Sequence, residues 1–120
     1  MTDTTIDRYI GLSDRAVHDD SALDELLTLF APDAIVRLGP EPVRGSAAIA
    51  AFYRAHFATF ADSRHYWNTT VLEDGTLRAE WAAAARMADG RLMTVAGVEH
   101  AKLDGNVIAD LRNEFTRLPG

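Results

Sequence analysis

The rhythm of polar and apolar positions changes about halfway along the chain, from helical spacing before Phe60 to alternation after His65. Ile6, Tyr9, Ile10, Ser13 and Val17 share one helical face behind a Thr/Asp-rich start able to cap it, with Ser13 the polar interruption. His18, Asp19 and Asp20 break the pattern. Ser21 is then placed to cap a second helix, whose Leu23, Leu26, Leu27 and Phe30 repeat at i, i+3, i+4 and i+7 until Pro32 stops it. Asp33 to Leu38 reads as a short strand closed by the Gly39-Pro40-Glu41-Pro42 turn. Gly45-Ser46 opens a third helix with the stripe Ile49, Phe52, Tyr53, His56, Phe57 and Phe60.

From about His65 the chain reads as strands separated by hairpin turns at Asp74-Gly75, Asp89-Gly90 and Asp104-Gly105-Asn106. The run Ala82 to Ala85 is expected to be strand rather than helix. Its small side chains would leave room for another molecule, which makes Ala82 and Ala84 candidates for a pocket wall. Helices grouped first and strands grouped later predict an α+β domain, three N-terminal helices covering one face of a curved antiparallel sheet. No repeat or linker divides residues 1–120, so one domain is expected.

Composition narrows the function. The chain is 48% hydrophobic and 25% charged with net charge −6, an ordinary globular balance. All but one of its 12 basic residues are arginines scattered along the sequence, so no basic stripe suits nucleic acid. No apolar run is long enough for a membrane helix, and Met1 to Thr5 has no leader character, so a cytoplasmic location is expected. Without cysteine there is no thiolate chemistry. No phosphate loop, dinucleotide fingerprint, nucleophile elbow or chelating histidine pair is present, and neither cofactor nor metal is expected.

Alternation from Met93 to Leu103 sends Met93, Val95, Gly97, Glu99, Ala101 and Leu103 to one face, where Glu99 is the only ionisable group. Lining a pocket, Glu99 would lose water, its pKa would rise, and it would suit acid–base work. The alternative is an ion pair with Arg86 or Arg112 that serves only the fold. In the last strand, alternation sets Val107, Ala109, Leu111, Asn113 and Phe115 against Ile108, Asp110, Arg112 and Glu114. Asn113, a polar residue on an apolar face, could lie beside Glu99 and orient a ligand or satisfy the carboxyl. His56 lies on the aromatic stripe of the third helix, as a packing residue or a third catalytic candidate. His65 and His100 are weaker candidates, and His100 should face away from Glu99. Trp67 and Trp81 could form pocket walls or a dimer surface.

Four phrases occur in order: Leu26-Leu27-Thr28-Leu29-Phe30-Ala31-Pro32-Asp33-Ala34, Arg44-Gly45-Ser46-Ala47-Ala48-Ile49 leading to Phe52-Tyr53, Val95-Ala96-Gly97-Val98-Glu99-His100, and Leu111-Arg112-Asn113-Glu114-Phe115. Together they resemble the SnoaL-like, ketosteroid-isomerase-like branch of the nuclear-transport-factor-two-like superfamily. The resemblance implies a cone whose mouth binds a small apolar molecule (polyketide, terpenoid or steroid-like), and often a homodimer through the sheet. It spans isomerases, cyclases, dehydratases, epoxide hydrolases and non-catalytic domains, so it fixes no one reaction. By resemblance, Glu99 occupies the place of the protonated aspartic acid in the ketosteroid-isomerase oxyanion hole. Asn113 resembles a position where epoxide hydrolases use aspartate, and Tyr53 matches the tyrosine after Phe52. Ser13 stands where the first-helix tyrosine belongs, with Tyr9 one turn earlier. Leu38 replaces the proton-moving aspartate, so the steroid-isomerase mechanism is not supported. With Phe30 these residues complete the expected pocket. Two functions remain: a cofactor-independent isomerase, cyclase or dehydratase, or a non-catalytic ligand-binding or dimerisation module.

Overall fold

The computed structural model describes residues 3–118; Met1 and Thr2 of the N-terminal segment considered above lie outside them. Helix α1 spans Thr5–Ala16, α2 Asp20–Leu27 and α3 Ser46–Ala58. The strands are β1 (Phe30–Arg37), β2 (Val43–Arg44), β3 (Phe60–Val71), β4 (Leu77–Met87), β5 (Leu92–Asp104) and β6 (Val107–Arg117). They form one sheet in the order β2-β1-β6-β5-β4-β3. Three helices packed against a curved sheet confirm the α+β expectation. No helix among the described residues is long and apolar enough to cross a membrane.

The glycines of the three anticipated turns, Gly75, Gly90 and Gly105, have positive φ (87°, 91° and 64°), the backbone that closes a tight hairpin and that side chains with a Cβ resist. They link β3 to β6 as an antiparallel meander. The sheet is not wholly antiparallel, however, because β1 returns beside β6 in parallel.

Several local expectations need correction. Asp19, not Ser21, caps α2, its carboxylate accepting from the Ser21 N–H. Helix α2 stops at Leu27, and Phe30 and Pro32 belong to β1. Proline has no N–H to give to a ladder, and the β1–β6 register shifts between Phe30 and Ile35, around it. Phe60 opens β3 instead of ending α3, and the two-residue β2 has no counterpart in the sequence reading. In β6, Lys102 pairs with Asp110 while Leu103 pairs with Ile108, leaving Ala109 as an extra residue. That bulge reverses the side-chain alternation, so Ile108 is fully buried rather than outward with Asp110.

The core lies between the helices and the concave side of the sheet, centred on Ile6, Ile10, Leu26, Ile49, Val36 and Leu111. Helix α1 is fastened to β3 by a polar node. Thr4 and Asp7 form a reciprocal capping box, and the same Asp7 carboxylate accepts from the Trp67 indole N–H at 2.9 Å and from the Thr69 hydroxyl. Burial pushes the Asp7 carboxyl up, but hydrogen bonds from Thr69, Trp67 and Thr4 outweigh it and hold it below the usual value. Replacing Asp7 with Ala keeps the Thr4 cap but removes the N3 half of the capping box and orphans the Trp67 N–H, which should cost about 2–3 kcal/mol. Urea unfolding should show the loss as a lower midpoint at unchanged slope, with a smaller loss in Asp7→Asn.

Candidate functional site

The concave side of the sheet stops short of filling its helical cover, leaving a cavity of about 390 Å³. Helix α1 contributes Tyr9 and Ser13, α3 contributes Phe52, Tyr53 and His56, and the bend just after β1 contributes Leu38. The sheet supplies Ser63, His65, Trp81, Val95, Glu99, Asn113 and Phe115. Neither Arg nor Lys lines it.

Glu99 is 6% exposed and makes no hydrogen bond among the described residues; its Oε2 is fully enclosed without a partner. The reason is its position. On β5 it faces Ala79 of β4 on one side and Asn113 of β6 on the other, and Ala79 has no polar atom to offer from its side chain. The ion-pair alternative fails: Arg112 pairs with Glu114 at 3.4 Å, and Arg86 reaches the Gly90 carbonyl. Burial pushes the Glu99 carboxyl up to about 8, so it is mainly protonated, and a hydrogen-bond donor, at neutral pH.

The phenols of Tyr9 and Tyr53 meet at 2.8 Å. Burial drives both pKa values well above the usual range; their mutual bond adds to the shift at Tyr9 and partly opposes it at Tyr53, and the Glu99 charge raises both. The Ser13 hydroxyl is turned back onto the Tyr9 carbonyl of its own helix. His56 lies flat against Phe52, ring centroids 5.9 Å apart at 7°, and burial, then nearby His65, lowers its pKa and keeps it neutral.

His65, a weaker candidate from its sequence position, has a fixed partner in the fold. Its Nδ1 lies 2.6 Å from Asp14 Oδ1, and its backbone N–H donates to Asp14 Oδ2 at 2.8 Å. Ser63 Oγ donates to Asp14 at 2.8 Å. Burial alone would raise the Asp14 carboxyl, but the hydrogen bond and charge of His65 and the bond from Ser63 outweigh it, and its pKa falls below the usual value. A carboxylate can only accept, so Nδ1 carries the proton toward Asp14 and Nε2 is left as the basic nitrogen. The residues stand 51 apart in sequence on a helix and a strand, and only the fold joins them. The one available signal was parity, which puts Ser63 and His65 on the same face of β3.

Other expected pocket residues lie elsewhere. Ala82 and Ala84 are exposed on the outer face, and Ala83 and Ala85 line the cavity in their place. Trp67 is held by Asp7 beneath α1, outside the cavity. Phe30 sits behind the wall, edge-on to Tyr9 at 6.0 Å and tilted on Tyr53 at 5.7 Å. Gly97 faces inward but is covered by Trp81. His100 faces away from the cavity, as expected.

The SnoaL-like domain family matches residues 13–111. A solved NTF2-like protein of unknown function from Exiguobacterium sp. 255-15 is 31% identical, with 93% of this chain and 98% of that one covered and a TM-score of 0.84. Two more distant structures share the fold. The Δ5-3-ketosteroid isomerase from Mycobacterium sp. is 22% identical over 93% of both chains, TM-score 0.73. A Mycobacterium tuberculosis protein in complex with estradiol-17β-hemisuccinate is 16% identical over 92% of this chain and 93% of that one, TM-score 0.73. No curated protein matches the sequence.

The buried carboxyl carries a stability signature. Because folding raises the Glu99 pKa from 4.5 to about 8, the folded state keeps a proton that the unfolded state releases. This group's contribution to stability therefore falls as pH rises through that window, by about 1.4 kcal/mol per pH unit, and levels off above it. Urea unfolding of Glu99→Gln should lose that slope and exceed the wild type in stability at pH 8.5.

Proposed function

The chain belongs to the SnoaL-like domain family, and on that premise we propose that it is a cofactor-independent isomerase, cyclase or dehydratase acting by proton transfer on a small neutral carbonyl compound. The observation that carries the reading is Glu99: a carboxyl 6% exposed, without a partner, on the wall of an apolar cavity. An unmet donor in such a place costs stability unless a ligand meets it. A ligand carbonyl oxygen is the matching group.

In this scheme His65 Nε2 removes a proton from the carbon next to the carbonyl, and the electron pair moves onto oxygen. Glu99 and Asn113 donate to that oxygen as its charge grows. Asp14 holds the His65 tautomer and stabilises the imidazolium. Return of the proton at another carbon gives isomerisation, departure of a β-hydroxyl with that proton as water gives dehydration, and attack of the enolate carbon on a second carbonyl, whose oxygen takes the proton, gives ring closure. His65 takes the role of base that the Leu38 position lacks. It is favoured over His56, whose ring is stacked on Phe52 and has no carboxylate to orient it.

A second reading, a non-catalytic binding module, has its own observation. Asp14 ties α1 to β3 through Ser63 and His65 much as Asp7 does through Trp67 and Thr69, so the pair also serves as an anchor. Deuterium uptake separates the two. With 2-tetralone or 5-androstene-3,17-dione in D2O, the wild type should exchange α-protons faster than buffer. His65→Gln should lose about 10²–10⁴ of the acceleration. Glu99→Gln should lose rate while still binding. Binding of both ketones without exchange would leave the binding module.

We further propose that two copies associate through the outer sheet face, where Ala82, Ala84 and Tyr66 are exposed, Tyr66 at 78%. Sedimentation should give twice the chain mass, and Ala84→Glu should return it to one copy.

A further inference from the structure

The indole of Trp81 lies at the centre of the cavity wall. On β4 it stands directly opposite Gly97 of β5, which is itself opposite Phe115 of β6. Its ring is 5.4 Å from His65, tilted by 42°, and 6.2 Å from Phe115, nearly edge-on at 72°. Its Nε1–H donates to Asn113 Oδ1 at 2.8 Å. This arrangement needs Gly97: a Cβ there would sit 3.0 Å from both the Trp81 ring and Asn113 Oδ1, and 2.6 Å from the Glu114 carbonyl oxygen.

An indole N–H is a donor only, so the atom it meets has to be the amide oxygen. The other end of the amide is then its NH2, and the indole bond is the only side-chain hydrogen bond Asn113 makes among the described residues. Asn113 pairs directly with Glu99 across β5 and β6, and both line the cavity. We propose that Trp81 is a positioning residue that locks the Asn113 amide with its NH2 toward the ligand, so that the cavity selects ligands carrying a hydrogen-bond acceptor at this point. A free asparagine would present either end and accept a hydroxyl as readily as a carbonyl. The locked one, beside a protonated carboxyl, makes a two-donor floor. From the proposed function this takes only that the cavity is the ligand site.

The lock is tested without a ligand by hydrogen exchange of the indole N–H groups, followed by nitrogen-15 NMR. The Trp81 signal should exchange slowly, at least tenfold faster in Asn113→Ala, and still slowly in Asn113→Asp, which keeps an acceptor oxygen. The Trp67 signal, held by Asp7, should be unchanged throughout and reports that each variant is folded. Selectivity is tested with 2-acetylnaphthalene and 2-ethylnaphthalene, alike in shape but differing in the carbonyl. Trp81→Phe enlarges the cavity for both alike, so the ratio of their Kd values isolates the polar effect. That ratio should move roughly 3- to 10-fold against the ketone in Trp81→Phe and in Asn113→Asp.

Indole exchange insensitive to Asn113→Ala, or a Kd ratio unmoved in Trp81→Phe, overturns the proposal. Failure of both naphthalenes to bind the wild type overturns its ligand half, and exchange still decides the lock. Neither result depends on whether His65 moves a proton.

Discussion

The site depends on a carboxyl that the protein buries and does not satisfy. Glu99 could have been neutralised by an arginine, since Arg78 and Arg112 occupy the strands on either side. Alternation turns those residues to the outer face and leaves Ala79 and Asn113 beside Glu99 on the inner one. Buried, and with no cation paired to it among the described residues, the carboxyl keeps its proton into the neutral range. A protonated acid is a donor, and the polar character of the cavity follows from that. The cavity presents that donor and an oriented imidazole in an apolar surround, the setting on which the proposed carbonyl ligand rests.

The same logic explains why α1 carries so much of the polar structure. A helix laid over a sheet with a cavity beneath it loses packing where the cavity lies. Here α1 buries Ile6 and Ile10, and adds two carboxylates that reach β3, Asp7 to Trp67 and Thr69 and Asp14 to Ser63 and His65. Both accept several hydrogen bonds and both are held below the usual carboxyl pKa, so they stay ionised where Glu99 does not. The contrast is one of partners more than of residue type. Three acids near one helix and one sheet are thereby sorted into two fixed acceptors and one donor.

What could be read from the sequence follows the range of the interactions. The hairpin turns, the three helices and the inward face of β5, including Glu99, rest on local spacing and were legible. Face assignments failed where tertiary structure shifts the count. The extra residue at Ala109 reverses the alternation that had put Ile108 outside. The alanines of β4 are a different case: its register with β5 is unbroken, and simple parity with Trp81 turns Ala83 and Ala85 inward rather than Ala82 and Ala84. Asp14 was invisible for another reason. On α1 it follows Ser13 and reads as a surface residue, because its partners lie on a strand 51 positions away for His65 and 49 for Ser63. Trp67 and Trp81 looked equivalent until pairing separated them, Trp67 under α1 and Trp81 over Gly97.

The proposed proton transfer does not require an aspartate at the Leu38 position. A base needs a lone pair near the substrate, a pKa suited to neutral water and a fixed direction; the wall it comes from is immaterial. Leu38, just past β1, and His65 in the middle of β3 line one cavity, so in the proposed scheme a base on either wall would face the same donors on β5 and β6. An aspartate at Leu38 would also have placed a second carboxyl in the cavity that holds the uncompensated Glu99. An imidazole avoids that, since it adds no second carboxyl and has Asp14 beside it to stabilise the cation formed when it takes a proton. A base that becomes a cation beside a carboxyl that stays neutral separates the two protonation states more cleanly than a pair of carboxyls would, which compete for one proton.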